Sequence, residues 1–230
     1  TVPVCTGDKI EKILSNLNNK NLADIVSNPE FLREGEAIRD FIHPDRVIIG
    51  TNSKKANKIM NALYMPIVKK TSRYYNTSRR GAELIKYASN AFLATKITYI
   101  NELANLCEKT GVDIKDISVG MGSDQRIGDR FLRAGPAYGG SCFPKDTRAL
   151  INTANQFKTD LSIVKSVVKS NDKRKILLTK KLKKILNNKL KNKVITFLGV
   201  TFKPNTDDMR EASSIPMIKH LNKNNSKIRY

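Results

Sequence analysis

From Ser78 to Gly111 the chain runs without a proline, and apolar side chains occur at Leu84, Ile85, Ala88, Phe92, Leu93, Ile97, Ile100, Leu103 and Leu106. That pattern predicts one long helix with apolar residues on most of its faces. So wide an apolar surface is not kept on an exposed rim. The helix is expected to be central, or to lie at a subunit interface.

The flanks read differently. Before the helix, Val2–Cys5 predicts a strand ending at a turn, and Thr6-Gly7-Asp8 opens a helix to about Leu17. Ala23–Asn28 predicts a short buried strand closed by Pro29. The His43-Pro44-Asp45 turn leads into Arg46–Gly50, another apolar strand, and Ser53 caps a helix to about Leu63. Strands alternating with helices argue for the edge of a parallel α/β sheet. After the long helix, Val112–Gly120 predicts a short helix. Gly122–Gly140 is a glycine-rich loop with a helical turn around Asp129–Leu132. Helices follow over Pro144–Phe157 and Ser162–Leu186, then a strand over Lys193–Gly199, a loop over Phe202–Arg210 and a helix over Ser213–Leu221. A further strand begins at Lys227–Tyr230.

A formal charge of +21 would attract polyanions. Much of it lies in Lys165–Lys193, where lysines alternate with Ile176, Leu177, Leu178, Leu182, Ile185 and Leu186 at helical spacing. This predicts an amphipathic helix with a solvated lysine face. No aromatic residues are interleaved as single-stranded nucleic acid would require, so nucleic acid is not the expected partner. Three widely spaced cysteines, Cys5, Cys107 and Cys142, fit a reducing cytoplasm better than a disulfide framework, and with His43 and His220 they assemble no metal site. No apolar run is long enough to span a bilayer, and the residues present show no signal-peptide pattern. The chain opens on Thr1 with a strand under way and stops as another begins, so material is expected to be missing at both ends.

Chemistry concentrates in four segments. In GGSCFPKD, Cys142 precedes Pro144, which suits the first helical position. A thiol there faces unpaired amides and the positive end of the helix dipole, with Lys145 nearby, and all three favour a thiolate. Equally, Cys142 could fill a small pocket while Asp146 complements the dipole; the residues alone leave both readings open. In ELIKYASN, Lys86 and Asn90 are one helical turn apart, so an ammonium and an amide could together hold an oxyanion; the alternative is a solvated stripe. In NPEFLREG, Glu30 and Glu34 follow a strand end, where ligands gather in open α/β sheets. In GVTFKPNTDDMRE, Lys203 and Arg210 beside Asp207 and Asp208 could serve phosphates or form a salt-bridged surface loop.

Together these segments resemble the nucleotide-sugar dehydrogenase family, on its UDP-glucose branch. The matching stretches, in order, are TVPV, SNPEFLREGEAI, PDRVIIG, ELIKYASNAFLATKI, INELANLCEKTG, DQRIG, GGSCFPKD and FLGVTFKPNTDDMREASS. The resemblance implies oxidation of UDP-glucose to UDP-glucuronate by two NAD, through an aldehyde captured on a cysteine and a thioester hydrolysed by water. It implies Cys142 as nucleophile, Lys86 and Asn90 at the oxyanion, and Asp146 orienting water with Thr1 and Glu30 assisting. Substrate would be held by Glu30, Phe31, Leu32, Arg33, Glu34, Lys86 and Asn90, by the loop with Phe131, Leu132, Arg133, Ala134, Gly135 and Gly139, and by Lys203. Arg126 would reach a neighbouring subunit's substrate. Thr1, Glu34, Lys145 and Arg210 would touch NAD.

The implied architecture is the tail of a Rossmann-type domain over 1–77, a central helical domain over 78–190 that dimerises through the long helix, and the start of a UDP-binding α/β domain over 191–230. One departure stands out. The strand, glycine-rich turn and helix that cradle a dinucleotide do not occur here. GMGSDQR at Gly120–Arg126 lacks the third glycine and follows a helix. Little NAD-dependent turnover is therefore expected of these residues alone. Related alternatives are the GDP-mannose branch, with the same cysteine chemistry, and a non-catalytic basic remnant that binds nucleic acid.

Overall fold

The computed structural model describes residues 1–16, 23–68 and 73–230. The chain divides into two units, Thr1–Ser89 and Asn90–Tyr230.

In the first unit the order is α1 (Thr6–Asn16), α2 (Ala37–Ile42), β1 (Arg46–Gly50), α3 (Lys54–Tyr64), β2 (Arg73–Thr77) and the opening turns of α4 (Arg79–Thr110). β1 is an unbroken apolar run, and Val47, Ile48 and Ile49 are all buried, as in a strand covered on both faces. Burying such side chains stabilises the unit by about 2 kcal/mol each. β1 pairs in parallel with β2, from Arg46 opposite Arg73 to Gly50 opposite Thr77. Ser53 caps α3 as expected, its Oγ accepting from the Ala56 amide at 3.1 Å. α1 is described as far as Asn16, and the expected last residue, Leu17, lies outside the described residues.

Two expected strands do not form. Val2–Cys5 closes a turn instead, because the Pro3 carbonyl accepts from both the amide and the hydroxyl of Thr6 (3.1 and 2.6 Å), and Cys5 adopts φ 73°. Of Ala23–Asn28, only Ser27 pairs, in one antiparallel bridge with Gly50, and the segment's ends are exposed. Its two large apolar residues, Ile25 and Val26, are too few to bury a face before Pro29. Conversely, β2 and the short α2 carry no sequence signal that marked them. β2 (RYYNT) is mostly polar and exists because β1 offers it a ladder.

In the second unit α4 continues, followed by α5 (Ile114–Gly122), α6 (Phe143–Gln156), α7 (Ser162–Ile185), β3 (Val194–Thr196), α8 (Ser214–Lys223) and β4 (Lys227–Arg229). Ala94, Tyr138 and Val167 form a core with Ile97 and Phe143 packed against it. β3 and β4 pair in parallel, from Val194 opposite Lys227 to Thr196 opposite Arg229, and β3 takes up three residues of the predicted Lys193–Gly199. The helical turn expected at Asp129–Leu132 is absent. The chain turns earlier, with the Ile127 and Gly128 amides on the Asp124 carbonyl (2.9 and 2.8 Å), and then bends and turns again over Asp129–Phe131, where Phe131 adopts φ 66°.

α7 departs in part from its expected pattern. Leu178 and Ile185 are exposed, whereas Asn171, Arg174 and Lys175 are buried. The reason is the irregular loop beneath the helix, whose backbone groups need partners. Asn171 accepts from the Tyr138 amide (2.8 Å) and donates to its carbonyl (3.0 Å). Arg174 donates to the carbonyls of Gly135 and Asn101 (both 2.9 Å). Along α4, Ala91, Ala94, Ile100 and Ala104 turn inward, while Phe92, Tyr99 and Leu106 form an exposed row with one residue every seven.

Candidate active site

Cys142 is the N-cap of α6, which opens at Phe143 with Pro144 second rather than first. Its carbonyl accepts the first helical bond from the Asp146 amide (2.8 Å), and its thiol is exposed, with Ser141 Oγ 3.6 Å from Sγ. The thiol is reachable and does not fill a packing void. One turn on, the Asp146 carboxylate is 1 % exposed. Asn90 Nδ2 donates to its Oδ2 at 2.6 Å and Lys145 Nζ to its Oδ1 at 2.5 Å. Burying a carboxyl group this deeply is costly unless its oxygens accept hydrogen bonds, and these two donors supply them.

The Gly139–Gly140 pair before Cys142 has a structural reason beyond the turn. A Cβ on Gly139 would lie 2.5 Å from the Glu211 carbonyl oxygen, and one on Gly140, at φ 79°, would lie 2.7 Å from the Phe202 ring. The Gly140 amide donates to the Arg210 carbonyl at 2.8 Å. The FKPNTDDMRE segment is thus seated directly on the cysteine loop. Within it Arg210 pairs with Asp208 through Nε and Nη2 (2.9 and 2.8 Å), the salt-bridged alternative, and keeps its side chain about two-thirds exposed. Lys203 Nζ lies 5.5 Å from the Phe202 ring centroid.

Of the predicted loop residues, Leu132 is buried and its carbonyl accepts from Ser118 Oγ (2.7 Å). Phe131, at φ 66°, packs its ring 6.1 Å from that of Phe143. Ala134 and Gly135 are half-buried, Arg133 is exposed, and Gly135 is held by Asn101 Oδ1 (2.8 Å). Arg126 projects outward, bound to Asp124.

The first unit holds the remaining predicted residues. Lys86, on α4, has its side chain almost wholly buried; Nζ donates to the Glu30 carbonyl (2.5 Å) and lies 3.4 Å from Glu30 Oε1. Burial opposes the charge of the Glu30 carboxylate, but the Leu32 amide (2.8 Å) and Lys86 outweigh it and hold the carboxyl below its ordinary value. Thr1 Oγ1 reaches the same carboxylate at 3.4 Å. Phe31 is stacked under the Arg46 guanidinium at 3.8 Å, with Lys86 5.2 Å from the ring centroid. Arg33 is engaged with Asp40 of α2 through two nitrogens, Leu32 is exposed and Glu34 half-buried. The segment 30–34 is not helical, so Glu30 and Glu34 share no helix face.

Nothing local in the sequence marks Arg46, Asn171, Arg174, Phe202 or Glu211 as part of the site. Arg46 reads as the start of a strand, and the others act on groups distant in the chain. Only the glycine pair hinted that something must come close.

Comparison with known proteins gives this geometry a family. Residues 1–68 match the NAD binding domain, 80–173 the central domain and 196–230 the UDP binding domain of the UDP-glucose/GDP-mannose dehydrogenase family. The chain is 49% identical over 223 residues to the UDP-glucose 6-dehydrogenase of Rhizobium meliloti, covering 96% of this chain and 51% of that protein. It is 48% identical over 230 residues to UDP-glucose 6-dehydrogenase YwqF of Bacillus subtilis, covering all of this chain and 51% of that protein. It superimposes on a UDP-glucose dehydrogenase structure from Pyrobaculum islandicum with a TM-score of 0.92 at 35% identity, covering 99% of this chain and 52% of that one. The chain therefore spans about half the length of the curated relatives it matches. With three successive domains of one family aligned in order along it, the chain belongs to the UDP-glucose/GDP-mannose dehydrogenase family.

Proposed function

We propose that these residues form part of an enzyme that oxidises the C6 alcohol of UDP-glucose to the carboxylate of UDP-glucuronate. The observation that carries the reading is an exposed thiol at the N-cap of α6, one turn from a buried carboxylate held by Asn90. In this reading Cys142 adds through sulfur to the C6 aldehyde, Lys86 steadies the negative oxygen, and Cys142 then carries C6 as a thioester. Asp146, with Asn90 beside it, orients the water that releases the acid, and Thr1 and Glu30 assist. Glu30–Glu34, Lys86, Asn90, the loop Phe131–Gly139 and Lys203 hold the sugar nucleotide, with Arg126 serving a neighbouring subunit.

Thr1, Glu34, Lys145 and Arg210 would hold NAD. The donor set fits its diphosphate, since Lys145 and Arg210 both keep more than half of their side chains exposed. Two hydrides leave C6 on the way from alcohol to carboxylate, and two NAD, bound in turn, would accept them.

The domains assigned are 1–77, 78–190 and 191–230. The row Phe92, Tyr99 and Leu106 is read as the homodimer face, because three large apolar side chains on one helix face suit a second copy of the same row. Three unpaired cysteines fit a cytoplasmic setting. Among the described residues no helix is long and apolar enough to cross a membrane.

The test is competitive iodoacetamide labelling of Cys5, Cys107 and Cys142 in the folded protein, read by peptide mass spectrometry. Cys142 reacts fastest and is protected by UDP-glucose. Equal labelling of Cys5 and Cys142, or protection by an oligonucleotide instead, would refute the reading. NAD reduction by the full-length polypeptide with UDP-glucose against GDP-mannose decides the sugar.

A further inference from the structure

The geometry points to Glu211 as a positioning residue for the cysteine loop: its carboxylate, clamped between α6 and α7, holds the Arg210–Glu211 backbone against Gly139 and Gly140. The inference rests on the proposed role of Cys142 as nucleophile.

Lys175 Nζ of α7 donates to Glu211 Oε2 at 2.8 Å, and Arg148 Nη1 of α6 donates to Oε1 at 3.1 Å. One carboxylate thus ties together the helix that Cys142 caps and the helix that anchors Tyr138. Lys175 is 91 % shielded from solvent in its side chain, at 9% exposure, and its next carboxylate, Asp172, is 3.7 Å away. An exposed ion pair contributes little, but one that neutralises a buried ammonium is strongly coupled to the local fold. The Lys175 hydrogen bond, reinforced by Arg148, overcomes burial and holds the Glu211 carboxyl below its ordinary value.

The backbone explains what the clamp is for. Glu211 sits at φ 54°, a conformation that a residue with a Cβ adopts only when its surroundings impose it. In that conformation its carbonyl approaches Gly139 too closely for any side chain there, while the preceding Arg210 carbonyl accepts the Gly140 amide. Two successive carbonyls therefore seat the residues that lead into Cys142. The Ala212 amide, donating to the Met209 carbonyl at 3.0 Å, closes this turn locally; without the carboxylate tether the turn is no longer fixed to α6 and α7, and the Gly140 bond and the approach to the α6 N-terminus loosen together.

The test uses Glu211→Ala, Glu211→Gln, Lys175→Met and the Lys175→Met/Glu211→Ala double variant. It measures exchange of the Gly140 amide and iodoacetamide labelling of Cys142, with buried Cys107 reporting any general unfolding. Glu211→Ala is expected to speed Gly140 exchange about tenfold and to slow Cys142 labelling severalfold while Cys107 stays protected. Lys175→Met does the same, the double variant is no worse than either alone, and Glu211→Gln, which keeps an acceptor, is intermediate. Should Cys107 become labelled in these variants, Arg148→Ala, which removes only the outer half of the clamp, must still speed Gly140 exchange. Unchanged exchange and labelling, with Cys142 still the fastest thiol, overturn the inference and leave the nucleophile standing. If Cys142 is no faster than Cys5 in the unsubstituted protein, the nucleophile assignment fails instead, and Gly140 exchange alone reports on the clamp.

Discussion

Replacing Asn90 tests the link between the long helix and the base of the candidate site. The Asn90 amide donates to Asp146 at 2.6 Å; both residues are buried, and water cannot take over the bond. A hydrogen bond to a charged group contributes about 1.5–3 kcal/mol. Lys145 remains on the other carboxylate oxygen, so Asn90→Ala does not leave the charge unpaired, and a loss of about 2 kcal/mol is expected. Asn90→Asp instead sets a second carboxylate at the donor's place. At an effective dielectric constant of about 20, two charges this close repel by about 6 kcal/mol, an upper bound that the pair escapes by binding one proton. The folded variant then holds more protons than the unfolded chain, so its stability rises as pH falls and is lost as pH rises. Urea denaturation at pH 5 and pH 7, with thiol labelling of Cys107 as a second probe, measures both effects. The reasoning fails if Asn90→Ala costs less than about 0.5 kcal/mol, or if Asn90→Asp is no worse than Asn90→Ala at pH 7 and shows no recovery in acid.

Three further outcomes are expected. Cys5→Gly relieves a left-handed residue at φ 73° while keeping the Cys5 amide on Glu83 (2.7 Å), and raises stability by about 1 kcal/mol in a thermal melt. Gly139→Ala drives a methyl into the Glu211 carbonyl, which is backbone and cannot step aside, so it costs about 1–3 kcal/mol and slows Cys142 labelling, both measurable in one denaturation series. Glu30 has its carboxyl held below the ordinary 4.5, so its contribution is present above that value and disappears as pH falls through the lower, folded-state value. An acid titration of stability should therefore be flatter below about pH 4.5 in Glu30→Gln than in the unsubstituted protein.

Much of the secondary structure is legible in the chain because it is local. Ser53 announces a cap, the RVIIG run a buried strand, and the proline-free stretch a helix that the structure begins at Arg79 and ends at Thr110. Each depends on residues within a few positions. The errors share an opposite cause. Val2–Cys5 and Ala23–Asn28 have strand-like composition but lack a continuous partner, whereas polar RYYNT becomes a strand because β1 lies beside it. Strand pairing is a property of two segments and cannot be read from one.

At the candidate site, Cys142 ahead of a helix start and the Lys86 and Asn90 spacing were visible in the sequence as residue types at given intervals. Tertiary structure alone decided that Asn90 binds Asp146, that Lys86 is held by the Glu30 carbonyl, and that α7 buries Asn171, Arg174 and Lys175 rather than its leucines. A helix's periodicity shows which residues share a face, but not what that face must satisfy. Here it meets a loop of unpaired backbone groups, and the need to pair them once they leave water places amide and guanidinium side chains inside.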